Sequence, residues 1–163
     1  MLVVATVLGV IVTIAAGAGQ GQPPTGSAAA YVRSTGRDAA RVEAAATGMR
    51  LALGRAAGSM STGDLGRLAR AATTAEVSLT VARREFATTA VTGTVGDAEV
   101  EVFTAVSDLA KAVGSIVTYT AAPTPGALGL AASQYGSAVG EWNDGVRVIW
   151  RAAGRPGATP AIS

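Results

Sequence analysis

Small or apolar residues recur along this chain at alternating steps of three and four, in four separate runs. The first run is Val32, Ala39, Val42, Ala46, Met49, Leu53, Ala56 and Met60, and the second is Leu65, Leu68, Ala72, Ala75, Leu79, Ala82 and Phe86. Val95, Ala98, Val102, Ala105, Leu109, Ala112, Ile116 and Tyr119 make the third. The fourth is Ala132, Tyr135, Val139, Trp142, Val146, Ile149 and Ala153. A repeat of this kind places one stripe on a helix face and favours left-handed supercoiling, and short connections force neighbouring helices to run antiparallel. The pattern predicts an all-α chain whose residues 27–153 form an up-down-up-down antiparallel four-helix bundle.

The runs are separated at "GSMSTG", "TGTVG" and "APTPG". Ser61 with Asp64, and Thr94 with Asp97, have the spacing of helix-opening caps, and Thr124 before Pro125 suits the start of the fourth helix. Ser27 or Thr25 can open the first. Residues 112–140 carry no charge, but Pro123, Pro125 and many Ser, Thr and Gly residues interrupt them, so a hairpin between helices is expected there and not a second membrane span. Glycines inside the runs, including Gly114, Gly129, Gly136, Gly140 and Gly145, each cost up to about 1 kcal/mol relative to alanine in a helix.

Ahead of the first run, Leu2 to Ala18 is seventeen residues without a charge. As a helix it is about 26 Å long, short for a membrane span yet sufficient with flanking adjustment. Ala16-Gly17-Ala18 is similar to a leader-cleavage site, but no Lys or Arg precedes the apolar run, as a secretory leader would have it. The expectation is an uncleaved transmembrane or signal-anchor helix over residues 1–18, a flexible linker over 19–26, the bundle over 27–153 and a disordered tail over 154–163. The chain is thus placed at the cell membrane, with the lipid bilayer contacted through residues 2–18. The side carrying the bundle stays open: Arg33, Arg37 and Arg41 pull toward the cytoplasm, while the leader-like start argues for export.

Composition narrows the chemistry. The 163 residues contain no cysteine and no histidine, which excludes disulfides, thiolate nucleophiles, Cys/His zinc sites, Ser-His-Asp triads and the Glu-x-x-His pairs of di-iron bundles. A net charge of +2 is too small an excess for a nucleic-acid footprint. "GAGQGQ" is not followed by the Gly-Lys-Ser/Thr of a phosphate loop. No cofactor, metal or catalytic residue is expected, and the chain is not expected to be an enzyme.

Charged clusters are read first as solvated helix faces. The third segment holds Asp97, Glu99, Glu101 and Asp108 against Lys111, and the first holds five arginines against Asp38 and Glu43, so the two are complementary. All four acidic positions of the third segment are expected off the stripe. Glu76, Glu99 and Glu141 are the carboxylates that a minor enzymatic reading would use as base, which requires one of them to be buried. In the fourth segment Arg147, Arg151 and Arg155 form a ladder in which Arg151 complements the helix dipole. Trp150 lies one step off the stripe. An outward-facing tryptophan flanked by Arg147 and Arg151 is therefore the expected partner contact.

Tyr135, Ala138, Val139, Trp142, Asn143, Val146 and Arg147 fall at the spacing that closes the LemA family, and the fourth segment resembles that family's carboxyl-terminal helix. Gly136 stands where the family has its first asparagine and Trp142 where it has its second tyrosine, and the family's early Asn-Leu-Val region is not recognisable between Arg33 and Leu68. The resemblance implies a single-span membrane protein with a helical-bundle domain and supplies no reaction. Anchor, stripes and missing catalytic signatures together lead to the expectation of a non-enzymatic accessory, scaffold or interaction subunit, with a protein partner or a homo-oligomer. The other expectation is a carrier of a lipid or apolar ligand between loosely packed, alanine-lined helices.

Overall fold

The computed structural model describes residues 27–59, 61–89, 95–124 and 126–163. The expected membrane span, its linker, Met60 and Thr94 lie outside them. Four helices follow one another, α1 (Ala28–Ser59), α2 (Thr62–Thr88), α3 (Gly96–Ala121) and α4 (Ala127–Ala152), and a short 3-10 turn, Pro156–Ala158, comes after α4. Among the described residues no helix is long and apolar enough to cross a membrane.

Cross-helix pairs fix the directions. Tyr31 at the start of α1 meets Phe86 near the end of α2, with ring centroids 6.5 Å apart. Further along, Gly114 of α3 lies 3.7 Å (from an ideal Cβ) from Glu76 Oε1 of α2. Gly145 late in α4 meets Val102 early in α3, and the Tyr135 hydroxyl early in α4 donates to the Ala46 carbonyl past the middle of α1. Each helix therefore runs against its neighbours, and the closed sequence α1-α2-α3-α4 is an antiparallel bundle. α1 and α4, the pair not joined by a short connection, touch least of the neighbouring pairs.

The first three stripes are the core almost without exception: Val42, Met49, Leu68, Leu79, Val102, Leu109 and Ile116 have no exposed surface. Tyr31, Val106 and Val113 join them from positions beside the stripes. The fourth stripe is buried at Tyr135, Trp142, Val146 and Ile149 but departs from expectation in the first half of α4. Ala131 and Ala138 are buried in place of Ala132 and Val139, which are half-exposed. Trp142 is the largest fully buried side chain and takes Phe86 edge-on, with centroids 6.0 Å apart and planes at 85°.

Helix starts depart from expectation in two places. Ser27 and Ser61 cap α1 and α2 as expected, accepting from Ala30 N–H at 3.3 Å and Asp64 N–H at 3.1 Å. α3 instead begins behind Val95, whose side chain has no acceptor to offer. α4 begins behind Gly126, held at φ 78°, and Thr124 contributes only its carbonyl to Ala127 N–H. The left-handed residue turns the chain sharply and delays the helix past Thr124.

The tail is a correction of a different kind. Gly154, at φ 72°, closes α4 with two reversing bonds, Arg155 N–H to the Trp150 carbonyl at 2.8 Å and Gly154 N–H to the Arg151 carbonyl at 3.0 Å. Residues 155–163 then run back along α4. Asn143 holds the backbone of Ile162 from both sides, at 2.8 and 3.0 Å, and the Trp142 indole N–H donates to the Pro160 carbonyl at 2.8 Å. Ile162 is buried, so the segment expected to be disordered is a docked strap.

Candidate functional site

Leu53, Ala132 and Val139 belong to the sequence stripes, yet all three stay half-exposed. They lie together, lining a groove of about 550 Å³ between the second half of α1 and the first half of α4. A seven-residue stripe that continues while its two helices part leaves apolar surface uncovered, and this groove is that surface. Its volume falls in the range of small-molecule sites, roughly 300–1,000 Å³.

Small residues shape it. Gly54 and Ala57 on α1, with Gly129 and Gly136 on α4, keep its walls low, and a Cβ added at Gly54, Gly129 or Gly136 would meet nothing within 4 Å. Tyr135 supplies the aromatic wall, and its hydroxyl is already committed to the Ala46 carbonyl. Burial pushes the Tyr135 phenol above the ordinary tyrosine value, and the Arg50 guanidinium nearby pulls the other way. Arg50 is the one charged residue in the lining and makes no ion pair among the described residues.

The expected partner contact is not assembled. Trp150 is 4% exposed and belongs to the same apolar cluster as Ile162, so the position one step off the stripe faces inward under the docked tail. Arg147 and Arg151 do face solvent, Arg147 paired with Asp144 at 2.9 Å and Arg151 in the last turn of α4. The tryptophan is thus covered while the arginines beside it stay in solvent. Trp150 lies about five turns along from Ala132 on the same face of α4, and it is buried where residues 155–163 run back along that face.

Glu99 overturns a second expectation. It is 2% exposed, and so is not on the solvated face of α3 with Asp97 and Glu101. It lies by Tyr31 on the wall of a 200 Å³ cleft shared with Phe86 and Phe103. Burial, and secondarily the Glu99 charge, push the Tyr31 phenol above its ordinary value. Glu141 is exposed and Glu76 half-buried, so the three carboxylates considered as bases lie in three different environments. Among the described residues no group of three or more acidic side chains could hold a metal ion. A polar cleft of about 420 Å³ between α3 and α4 holds Glu141 with Asp108, but Lys111 is paired to Asp108 there at 2.7 Å.

No family model matches the chain, and neither a curated protein nor a solved structure matches it. The α1–α4 groove was missed as a site by sequence reasoning because its residues repeat the core pattern. The signal that could have found it is the coincidence of Gly129 and Gly136 with the stripe positions Ala132 and Val139 on one helix face.

Proposed function

We propose that this chain is a binding module for an apolar or amphiphilic small ligand, held in the α1–α4 groove. The observation that carries this reading is the open stripe at Leu53, Ala132 and Val139, whose closure would bury them as their counterparts are buried elsewhere in the bundle. Covering such surface is favourable by about 25 cal/mol per Å² of apolar area. An expected anchor over residues 2–18 belongs to the same proposal, since it would keep the groove beside a bilayer that is itself a source of amphiphiles. The resemblance of Tyr135 to Arg147 to the LemA pattern supports that layout of anchor followed by bundle. Mass spectrometry of the intact chain released from membranes tests the reading. A bound small molecule is expected on the wild type and absent from Gly136→Leu, whose side chain fills the groove; a wild-type chain carrying nothing would sink it.

A second reading, the accessory or interaction subunit, is favoured by Val100 and Phe103, which stand exposed beside the Tyr31–Phe86 cleft. Such a subunit is recovered from mild detergent with a stoichiometric partner or as a homo-oligomer, and recovery only as a free monomer would remove this reading.

A further inference from the structure

The groove is apolar apart from Arg50, and that exception points to the chemistry of the occupant. Tyr135 cannot serve a ligand as a free donor, because its hydroxyl is engaged by Ala46. Arg50 is exposed, lines the groove beside Tyr135, and has no carboxylate neighbour within ion-pairing distance among the described residues. The one ion pair on α1 among the described residues, Arg41 with Asp38, lies elsewhere on the helix. A guanidinium at the edge of an uncharged, small-residue trough presents a fork of donors suited to a carboxylate or phosphate, next to surface suited to hydrocarbon.

Resting on the binding-module reading, we infer that the groove takes a single-tailed amphiphile with an anionic head, its head group on Arg50 and its tail along Leu53, Ala132 and Val139. The wall length agrees with one short tail: Leu128 to Val139 is about 16 Å of helix. The chain's own apolar segment fits less well as occupant. Leu2 to Ala18 carries no charge and so brings no anion to Arg50. A cationic or neutral amphiphile would leave the guanidinium without a counter-charge.

The test uses the full chain in neutral phosphatidylcholine vesicles with three photoreactive twelve-carbon probes, a diazirine carboxylate, the matching phosphate monoester and the matching alcohol. Labelled peptides are mapped by mass spectrometry. The two anionic probes are expected to label the peptide containing Leu128 to Val139 about tenfold more than the alcohol, the size of one charge-assisted contact. Arg50→Ala should remove that preference while leaving labelling by the alcohol, and Arg50→Lys should restore part of it. Equal labelling by all three probes in the wild type, or an anionic preference that survives Arg50→Ala, overturns the head-group assignment alone. If no probe labels this peptide above the exposed surface around Val77, or Gly136→Leu leaves labelling unchanged, the binding-module reading itself fails. Labelling that emerges only when residues 1–26 are deleted assigns the groove to the chain's own apolar segment and overturns the inference.

Discussion

The indole N–H of Trp142 donates to the Pro160 carbonyl at 2.8 Å, across eighteen residues of sequence, so the largest fully buried side chain has its polar atom satisfied by the docked strap. Removing residues 155–163 takes away this acceptor, both bonds of Asn143 to Ile162, and the buried Ile162 side chain. Burying one such side chain contributes about 1.5–3 kcal/mol. An indole donor left without its partner adds a cost of about 1–3 kcal/mol unless water reaches it. The truncated chain is expected to lose roughly 3 kcal/mol in urea titration, with a red-shifted tryptophan emission. An unchanged urea midpoint would show that the strap is not part of the folded unit.

Gly145 and Gly140 should respond oppositely to alanine. A Cβ at Gly145 would lie 2.7 Å from Val102 Cγ2 and 3.3 Å from the Ala98 carbonyl, so α3 and α4 must separate. Overpacking of this kind costs about 1–3 kcal/mol, more than the helix-propensity gain of about 1 kcal/mol. At exposed Gly140 nothing lies within 4 Å of the added methyl, and only the gain remains. Thermal melts are expected to move down by several degrees for Gly145→Ala and up by about 3 °C for Gly140→Ala. Two shifts of the same sign would contradict the close approach.

What could be read from the residues, and what could not, divides along physical lines. Three-four spacing located the helices because an amphipathic helix must bury one stripe, and Val42, Leu79 and Leu109 sit where it puts them. Phase was harder on α4. With Tyr135, Ala138, Val139, Trp142 and Trp150 all apolar on a wide arc, spacing alone does not choose the inner edge, and the choice is made by Gly145, which lets α3 in close. The burial of Glu99 was hidden because a carboxylate after Ala98 reads as first-turn charge, whereas its neighbour Tyr31 comes from a helix more than sixty residues earlier. The tail announced itself only through Gly154 and Pro156, a helix stop whose return path depends on Asn143 and Trp142. The groove is visible only once the distance between α1 and α4 is known.

Trp150, Arg147 and Arg151 offer a direct comparison of the expected contact with the observed one. Trp150→Ala removes a buried aromatic side chain and is expected to destabilise the bundle by about 3–5 kcal/mol. Arg147→Ala breaks an exposed pair, and Arg151→Ala weakens a helix-end contact, each expected to cost under about 1 kcal/mol. Chemical denaturation of the three variants checks this. A tryptophan variant as stable as the wild type would return Trp150 to the surface.

Alkaline conditions should weaken the fold through Tyr31 and Tyr135. Burial raises both phenols above their ordinary value, with the Glu99 charge adding to the rise at Tyr31 and Arg50 opposing it at Tyr135. The sign follows from which state releases a proton first. Below a pH of about 10, the ordinary tyrosine value, both folded and unfolded chains keep the phenols neutral and the stabilisation is complete. Above it the unfolded chain ionises while the folded chain resists, so stability falls as pH climbs toward the raised folded values. Urea midpoints measured from pH 8 to 11.5 are expected to hold level and then drop. Tyr135→Phe is expected to lower the midpoint at pH 8, because the bond to Ala46 is worth about 0.5–1.5 kcal/mol, and to flatten the alkaline drop. A variant with the wild-type drop, in both Tyr31→Phe and Tyr135→Phe, would mean that these two phenols are not protected in the folded chain.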